Sequence, residues 1–462
     1  MRPTSMVAAA LLGVVLSGCA GPRIETAAVP PVIAPPAWRT DAGATSPIGE
    51  AWWQSFGDPV LTALVNKALA NNTDLAISAA RVREMRASLA LARAQLSPAI
   101  DAGVSGSRSR FVNAFGMPSE QDAGQPQVQV AYEVDLFGRL SDQKAAARYG
   151  YLASQAGQAA LRLSVAAAAA SGYVTLLGLD ARLEVARAAV HSRGDALQIA
   201  ASRVQHGYSP KLELAQAQAE YDAAAQIVPA LQLAIARTED ALSLLTGETP
   251  ATVTRGQNLE SLVVPAIPAG LPSELLRRRP DVAQAELTLA ATDKSLAAAR
   301  KRFLPQVRLS GAAGAAFSTL LKDPVSIWAV GGSILAPLFD GGRLRAQAEA
   351  AAAQRDQAAF AYRRTALIAF REVEDALAAA QRLDEQIAAL RLQRDALAEG
   401  VRLATSRYRE GYSPYLEQLD AQRGLLSAQL ALAQLRSDAL VARIQLVQAM
   451  GGGFASEETG AS

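Results

Sequence analysis

The sequence predicts a mainly helical protein with a small β part, built as one helix-and-hairpin unit written twice. Three observations carry this. The stretches Ser141 to Gln205 and Leu344 to Glu410 contain no proline. Each ends on the same tetrapeptide, Gly-Tyr-Ser-Pro. Each also follows a segment in which apolar and polar residues alternate with period two, the signature of a half-buried strand.

Composition supports helices and excludes several functions. Half of the 462 residues are apolar but only 5% are aromatic, and alanine supplies much of the apolar share. Such sequence suits closely packed helices better than a bulky core. With 45 basic against 43 acidic residues, no basic stretch is dense enough for a phosphate backbone, so nucleic acid is no partner. Two histidines and one cysteine offer no catalytic, metal or cofactor constellation, and an enzyme is not expected.

At the N-terminus, Arg2 precedes the apolar run Val7 to Leu16 and then Leu16-Ser17-Gly18-Cys19. A basic start, an apolar stretch and small residues before a cut describe a secretory signal over 1–18. The tetrapeptide resembles the bacterial lipobox. That resemblance makes Cys19 the acylated first residue of the mature chain, and Ala20 after it implies sorting to the outer membrane. Residues 19–57 then form a lipidated linker, with prolines from Pro30 to Pro47.

The duplication is explicit. Arg203 to Gln218 and Arg407 to Gln422, 204 positions apart, share nine of sixteen residues. The same offset carries Leu245-Thr246-Gly247 onto Ala449-Met450-Gly451, and an offset of 207 aligns Asp74 with Asp281 and Pro98 with Pro305. The first copy spans 58–249 and the second 276–450. A linker over 250–275 joins them, and a tail over 451–462 is expected to be disordered.

Within the first copy, Asp58 to Leu96 reads as helix, with Asn72, Thr73 and Asp74 supplying caps at an internal break. A β-hairpin follows over about 98–137. Ile100, Ala102 and Val104 oppose Asp101 and Ser105. On the return, Val128, Val130, Tyr132, Val134 and Leu136 oppose Gln127, Gln129, Glu133 and Asp135. Arg108 to Gly124 reads as a turn-rich loop between them. The second hairpin, over about 305–339, sets Val307 and Leu309 against Gln306, Arg308 and Ser310, with a less regular return through Ile327, Trp328 and Val330.

The proline-free stretches each read as one helix of about 100 Å. Heptad spacing at Leu176, Leu183, Val190, Leu197 and Val204, and at Leu383, Leu390, Leu397 and Ala404, predicts coiled-coil packing, with Arg193 and Arg394 interrupting neighbouring rungs. Glycine then suits the helix C′ position and proline the start of a return helix. Pro229 is expected to kink the first return. Leu163 to Leu179 is uncharged over 17 residues, short for a membrane span and rich in alanine and glycine, so helix packing is its expected role.

An apolar face opposed to a polar one fits a wall between lipid and water. In lipid a sheet must close, and closed barrels need at least about eight strands. Four strands per chain therefore require an oligomer, and geometry alone allows a dimer or a trimer. A periplasmic coiled-coil adaptor or scaffold lipoprotein is the alternative, but it leaves the two amphipathic hairpins unused.

The sequence resembles the TolC-like outer-membrane factors, in particular the OprM/NodT efflux lipoprotein branch. The resemblance rests on Trp52-Trp53-Gln54-Ser55-Phe56-Gly57-Asp58-Pro59 with Asn71-Asn72-Thr73-Asp74-Leu75, and on Arg278-Arg279-Pro280-Asp281-Val282. Pro337-Leu338-Phe339-Asp340-Gly341-Gly342-Arg343 and the two Gly-Tyr-Ser-Pro turns complete it. It implies a homotrimer in the outer membrane, with a twelve-stranded β-barrel and a trimeric α-barrel extending into the periplasm. It further implies the passive exit duct of a tripartite efflux pump, partnered by a periplasmic adaptor and an inner-membrane transporter, with no cofactor.

The same resemblance assigns sites. Gly207, Tyr208, Ser209 and Pro210, with Gly411, Tyr412, Ser413 and Pro414, correspond to the tip where the adaptor docks. Glu417 and Asp420, three apart on one helical face, match the acids that ring the constriction. Glu213 is their first-copy counterpart, but Gln216 stands where the second acid would be. His191, His206, Trp52, Trp53 and Phe56 are expected to pack rather than bind.

Overall fold

A computed structural model describes residues 24–40, 49–263 and 272–453. The signal peptide, Cys19 and the tail beyond Gly453 lie outside the described residues. A 3₁₀ turn at Trp52–Phe56 precedes helices α1 (Pro59–Asn71) and α2 (Thr73–Ala94). Strands β1 (Ala99–Val112) and β2 (Pro118–Val134) follow, then α3 (Arg139–Gln205), α4 (Lys211–Ala225) and α5 (Ile227–Leu245). The second copy runs α6 (Pro272–Arg278), α7 (Pro280–Lys301), β3 (Gln306–Ser318), β4 (Val325–Leu335), α8 (Arg343–Arg409) and α9 (Tyr415–Ala449).

Two compact units result. One holds residues 80–155 and 284–364, including all four strands. The other holds the described residues of 32–79, 156–283 and 365–453, including both Gly-Tyr-Ser-Pro turns. Helix α6 starts at Pro272, inside the stretch read from sequence as linker.

In the first unit the strands form one antiparallel sheet in the order β1-β2-β3-β4. The register sets Ala102 opposite Val128 and Val128 opposite Ala313. The apolar face is exposed in the single chain, with Ile100, Val104, Val128, Trp328 and Val330 all open. The β2–β3 ladder skips Gln125 and Pro126, because proline has no N–H to donate.

The first hairpin departs from expectation. The stretch Arg108 to Gly124 is mostly strand, with only Asn113 to Met117 left as the loop. Oppositely charged residues face each other across these strands, with Arg108 3.3 Å from Glu120 and 3.6 Å from Asp122. Such cross-strand pairs support a ladder that the polar composition conceals. Asn113 closes the turn, its Oδ1 accepting from Phe115 N at 3.0 Å and Met117 N at 3.1 Å.

Each strand pair leads into a long helix through an aspartate cap. Asp135 accepts from Leu140 N at 2.9 Å and Ser141 N at 2.8 Å. Asp340, in the same place in the second copy, accepts from Gly342 N at 3.1 Å and Leu344 N at 2.8 Å. These bonds satisfy donors that a helix start leaves open. The Asp135 carboxyl is partly desolvated, which acts to raise its pKa, but the bonds from Ser141, Leu140 and Arg139 outweigh this and hold it below the ordinary carboxylate value.

The second unit has the aromatic core. Trp52, Trp53 and Phe56 are buried with Leu61 and Val65 against Val165, Tyr173 and Val174 of α3 and Ile444 of α9. The uncharged stretch of α3 thus packs in protein, as its small residues require. Asp58 is buried and accepts from Val60 N at 2.7 Å, Tyr173 Oη at 2.9 Å and Gln257 N at 3.0 Å. One carboxylate therefore caps α1, anchors α3 and ties down the inter-copy linker. Burial first, then the hydrogen bond to Asp58, pushes the Tyr173 hydroxyl up to about 12. The first return helix breaks at Gln226, between α4 and α5. The break lies at the turn before Pro229, whose ring displaces the carbonyl four residues earlier.

Candidate functional site

The two helix–helix turns are built alike. Helix α3 ends with Gly207 at φ +75°, and Tyr208 N donates to Arg203 O at 2.8 Å. Helix α8 ends with Gly411 at φ +81°, and Tyr412 N donates to Arg407 O at 2.8 Å. Both are six-to-one closures in which the left-handed residue must lack a side chain to avoid strain. Pro210 and Pro414 start the return helices, at φ −70° and −68°. Ser209 is half-buried and Ser413 buried. Tyr208 is 82% exposed and Tyr412 78%, each followed by an exposed leucine, Leu212 or Leu416. Each turn therefore presents an apolar knob on a rigid bend.

Behind the turns the copies are locked together. Tyr408 of α8 packs against Tyr415 of α9 with ring centroids 5.4 Å apart and the rings tilted by 54°. The Arg203 guanidinium of α3 sits 4.6 Å from the Tyr408 ring centroid, a favourable cation–π placement. The Tyr408 hydroxyl donates to Glu213 of α4. Burial, and then that bond to a carboxylate, pushes the Tyr408 hydroxyl up to about 12. Burial raises the Tyr415 hydroxyl as well, with the Glu220 charge adding to it.

Glu220 is the centre of a second group. Arg193, buried on α3, approaches its carboxylate at 3.2 Å and donates to its backbone oxygen at 2.9 Å. Arg423 of α9 reaches the same carboxylate at 2.5 Å. Two guanidinium groups on one buried acid satisfy a charge that would otherwise be costly to desolvate. The Glu220 bond holds the Arg423 guanidinium above its usual pKa.

The three acids named from sequence occupy different surroundings. Glu417 and Asp420 are exposed on α9. Asp420 has Arg423 at 3.7 Å, so its charge is partly offset. Glu213 is turned to Tyr408. Sequence reasoning missed Glu220, Arg423, Arg193 and Tyr408 as a group. One signal was present: Arg193 interrupts an apolar heptad seam, where a charge needs a buried partner. The histidines stay peripheral, with His191 3.4 Å from Asp195 and His206 bonded to Ser202 O at 2.8 Å. No group of three or more potential metal ligands occurs among the described residues.

Known proteins of this architecture exist. The family model described as outer membrane efflux protein matches residues 64–248 and 271–452. The chain is 31% identical to the antibiotic efflux pump outer membrane protein ArpC of Pseudomonas putida, over 99% of this chain and 97% of that one. It is 31% identical to the pyoverdine export outer membrane protein OpmQ of Pseudomonas aeruginosa, covering 92% and 93%. Its fold matches the crystal structure of the Campylobacter jejuni CmeC outer membrane channel with a TM-score of 0.88 at 25% identity, covering 95% and 96%.

Proposed function

Because the chain belongs to the outer membrane efflux protein family, we propose that it is the outer-membrane exit duct of a three-component efflux pump. It works as a lipid-anchored homotrimer that takes solutes from an inner-membrane transporter through a periplasmic adaptor. The observation that carries this reading is the four-stranded sheet with one apolar and one polar face. Such a sheet has open edges that lipid does not tolerate, so it closes only with further copies. Three copies give twelve strands, with the apolar face on lipid and the polar face on water.

The two turns are the docking tip. Tyr208 and Tyr412 offer exposed aromatic knobs on backbone fixed by glycine, the kind of rigid anchor that protein interfaces use. The group around Glu220 and Tyr408 holds the closed state. Glu417, Asp420 and Glu213 form the constriction, where repeated acids favour cations. Cys19 carries the acyl anchor.

The mass of the detergent-solubilised full-length protein, corrected for bound detergent, tests the assembly. Three chains per particle support this reading, and a stable monomer or dimer contradicts it.

A further inference from the structure

Resting on the channel reading above, we propose that Asp101 gives its own level of the β-barrel a preference for cationic and neutral solutes over anionic ones. On the polar face of the sheet, alternating positions carry charge at only three places: Asp101, Glu133 and Arg308. Serines, glutamines and small residues fill most of the remainder. Glu133 is paired with two cations, lying 2.6 Å from Arg139 and 3.9 Å from Arg308, so that cluster carries no net negative charge. Asp101 is exposed and stands opposite uncharged Gln129, which in turn stands opposite Ala312. Among the described residues the ion pairs of the sheet join Arg108, Arg110, Arg139 and Arg308 to Glu120, Asp122 and Glu133, and none involves Asp101.

Distance decides whether the cluster at Glu133 cancels Asp101. Arg308 and Glu133 are each four positions along their strands from the Asp101 rung. Four positions span about 13 Å, beyond the screening length of about 8–10 Å at 0.10–0.15 M salt. Within one chain Asp101 therefore stands apart from that cluster, and three copies would surround passing solutes with three carboxylates at its level. Gln129 and Ala312, the next residues along its rung, cannot neutralise it, because neither carries a net charge.

A local charge probe tests this without involving the tip. Gln127 faces the same side, diagonal to Asp101, at about 7–8 Å. A Gln127→Cys variant of the full-length trimer is treated from outside with cationic and anionic methanethiosulfonate reagents at about 10 mM salt. Adding Asp101→Asn is expected to lower the cation-to-anion rate ratio about fourfold, from a unit charge at that separation in water. Asp101→Glu keeps the charge and is expected to keep the ratio. A ratio that Asp101→Asn leaves unchanged overturns the role of Asp101. A Gln127→Cys inert to both reagents, beside a reactive Val128→Cys, shows instead that the polar face does not meet water and sinks the channel reading with it.

Discussion

Asn72 donates from Nδ2 to the carbonyl of Leu245 at 3.1 Å, and Arg279, 207 positions later, donates from Nη1 to the carbonyl of Ala449 at 3.0 Å. Each residue thus closes the last turn of its own copy's return helix onto the break between its two short helices. The duplication extends to the backbone. A Cβ on Gly247 would lie 2.6 Å from Asn71 O, and one on Gly451 would lie 1.9 Å from Arg278 O. Only glycine permits either approach, and both glycines have positive φ.

These clamps differ in what they hold. Asn72 also accepts from Asp74 N at 3.0 Å and Leu75 N at 3.2 Å, so Asn72→Ala loses a cap of about 1 kcal/mol. Arg279 is buried, bidentate to Asp281 and 2.7 Å from Glu372. Its loss leaves the buried Ala449 carbonyl without this donor, while Asp281 and Glu372 are more than a third exposed and keep water, so Arg279→Ala is expected to cost about 2 kcal/mol. Chemical denaturation of the two variants checks the order. Equal losses would mean that the ion pairs at Arg279 contribute nothing beyond the shared carbonyl bond.

Gly411→Leu places a side chain at a φ of +81°, a strain of about 1–2 kcal/mol confined to one turn. Trimers are expected to form normally while cross-linking to the adaptor falls sharply. Wild-type cross-linking, together with wild-type drug resistance in cells, would show that the turn serves only to reverse the chain.

The Tyr408 hydroxyl supplies a pH dependence. Its pKa is raised from 10 to about 12 in the folded protein, so the neutral hydroxyl is the form the fold favours. The stabilisation is complete below about pH 10 and is lost as pH rises through about 12. Absorbance titration at 295 nm of wild type minus Tyr408→Phe is expected to show one ionisation near 12. A difference curve centred near 10 would mean that the hydroxyl is neither buried nor bonded to Glu213.

Cys19→Ala is expected to abolish palmitate labelling while leaving trimers in the outer membrane, since the barrel itself is membrane-embedded. Undiminished labelling of the variant would remove the acyl anchor from Cys19.

The fold was legible wherever a pattern repeats. Proline-free length gave α3 and α8, and strict alternation from Val128 gave the last part of β2, which ends at Val134 rather than Leu136. The distal half of the first hairpin was hidden, because Arg108, Arg110, Glu120 and Asp122 look like loop residues until their cross-strand pairing is known. The turns were legible for the same reason as the helices, through Gly207 and Gly411. The lock behind them was not. Glu220, Arg193 and Arg423 come from three helices and meet only in the packed tip. Their spacing in sequence, with Arg423 203 positions beyond Glu220, says nothing about a shared carboxylate.

Single-channel conductance of the purified full-length protein in planar bilayers tests the central claim, an outer-membrane duct held shut at its helical tip. Wild type is expected to give small, well-defined steps. Arg423→Ala combined with Tyr408→Phe, which frees Glu220 and Glu213 from their partners on the second copy, is expected to raise the step size several-fold. Absence of steps from wild type and variant alike, or steps of the same size in both, would contradict it.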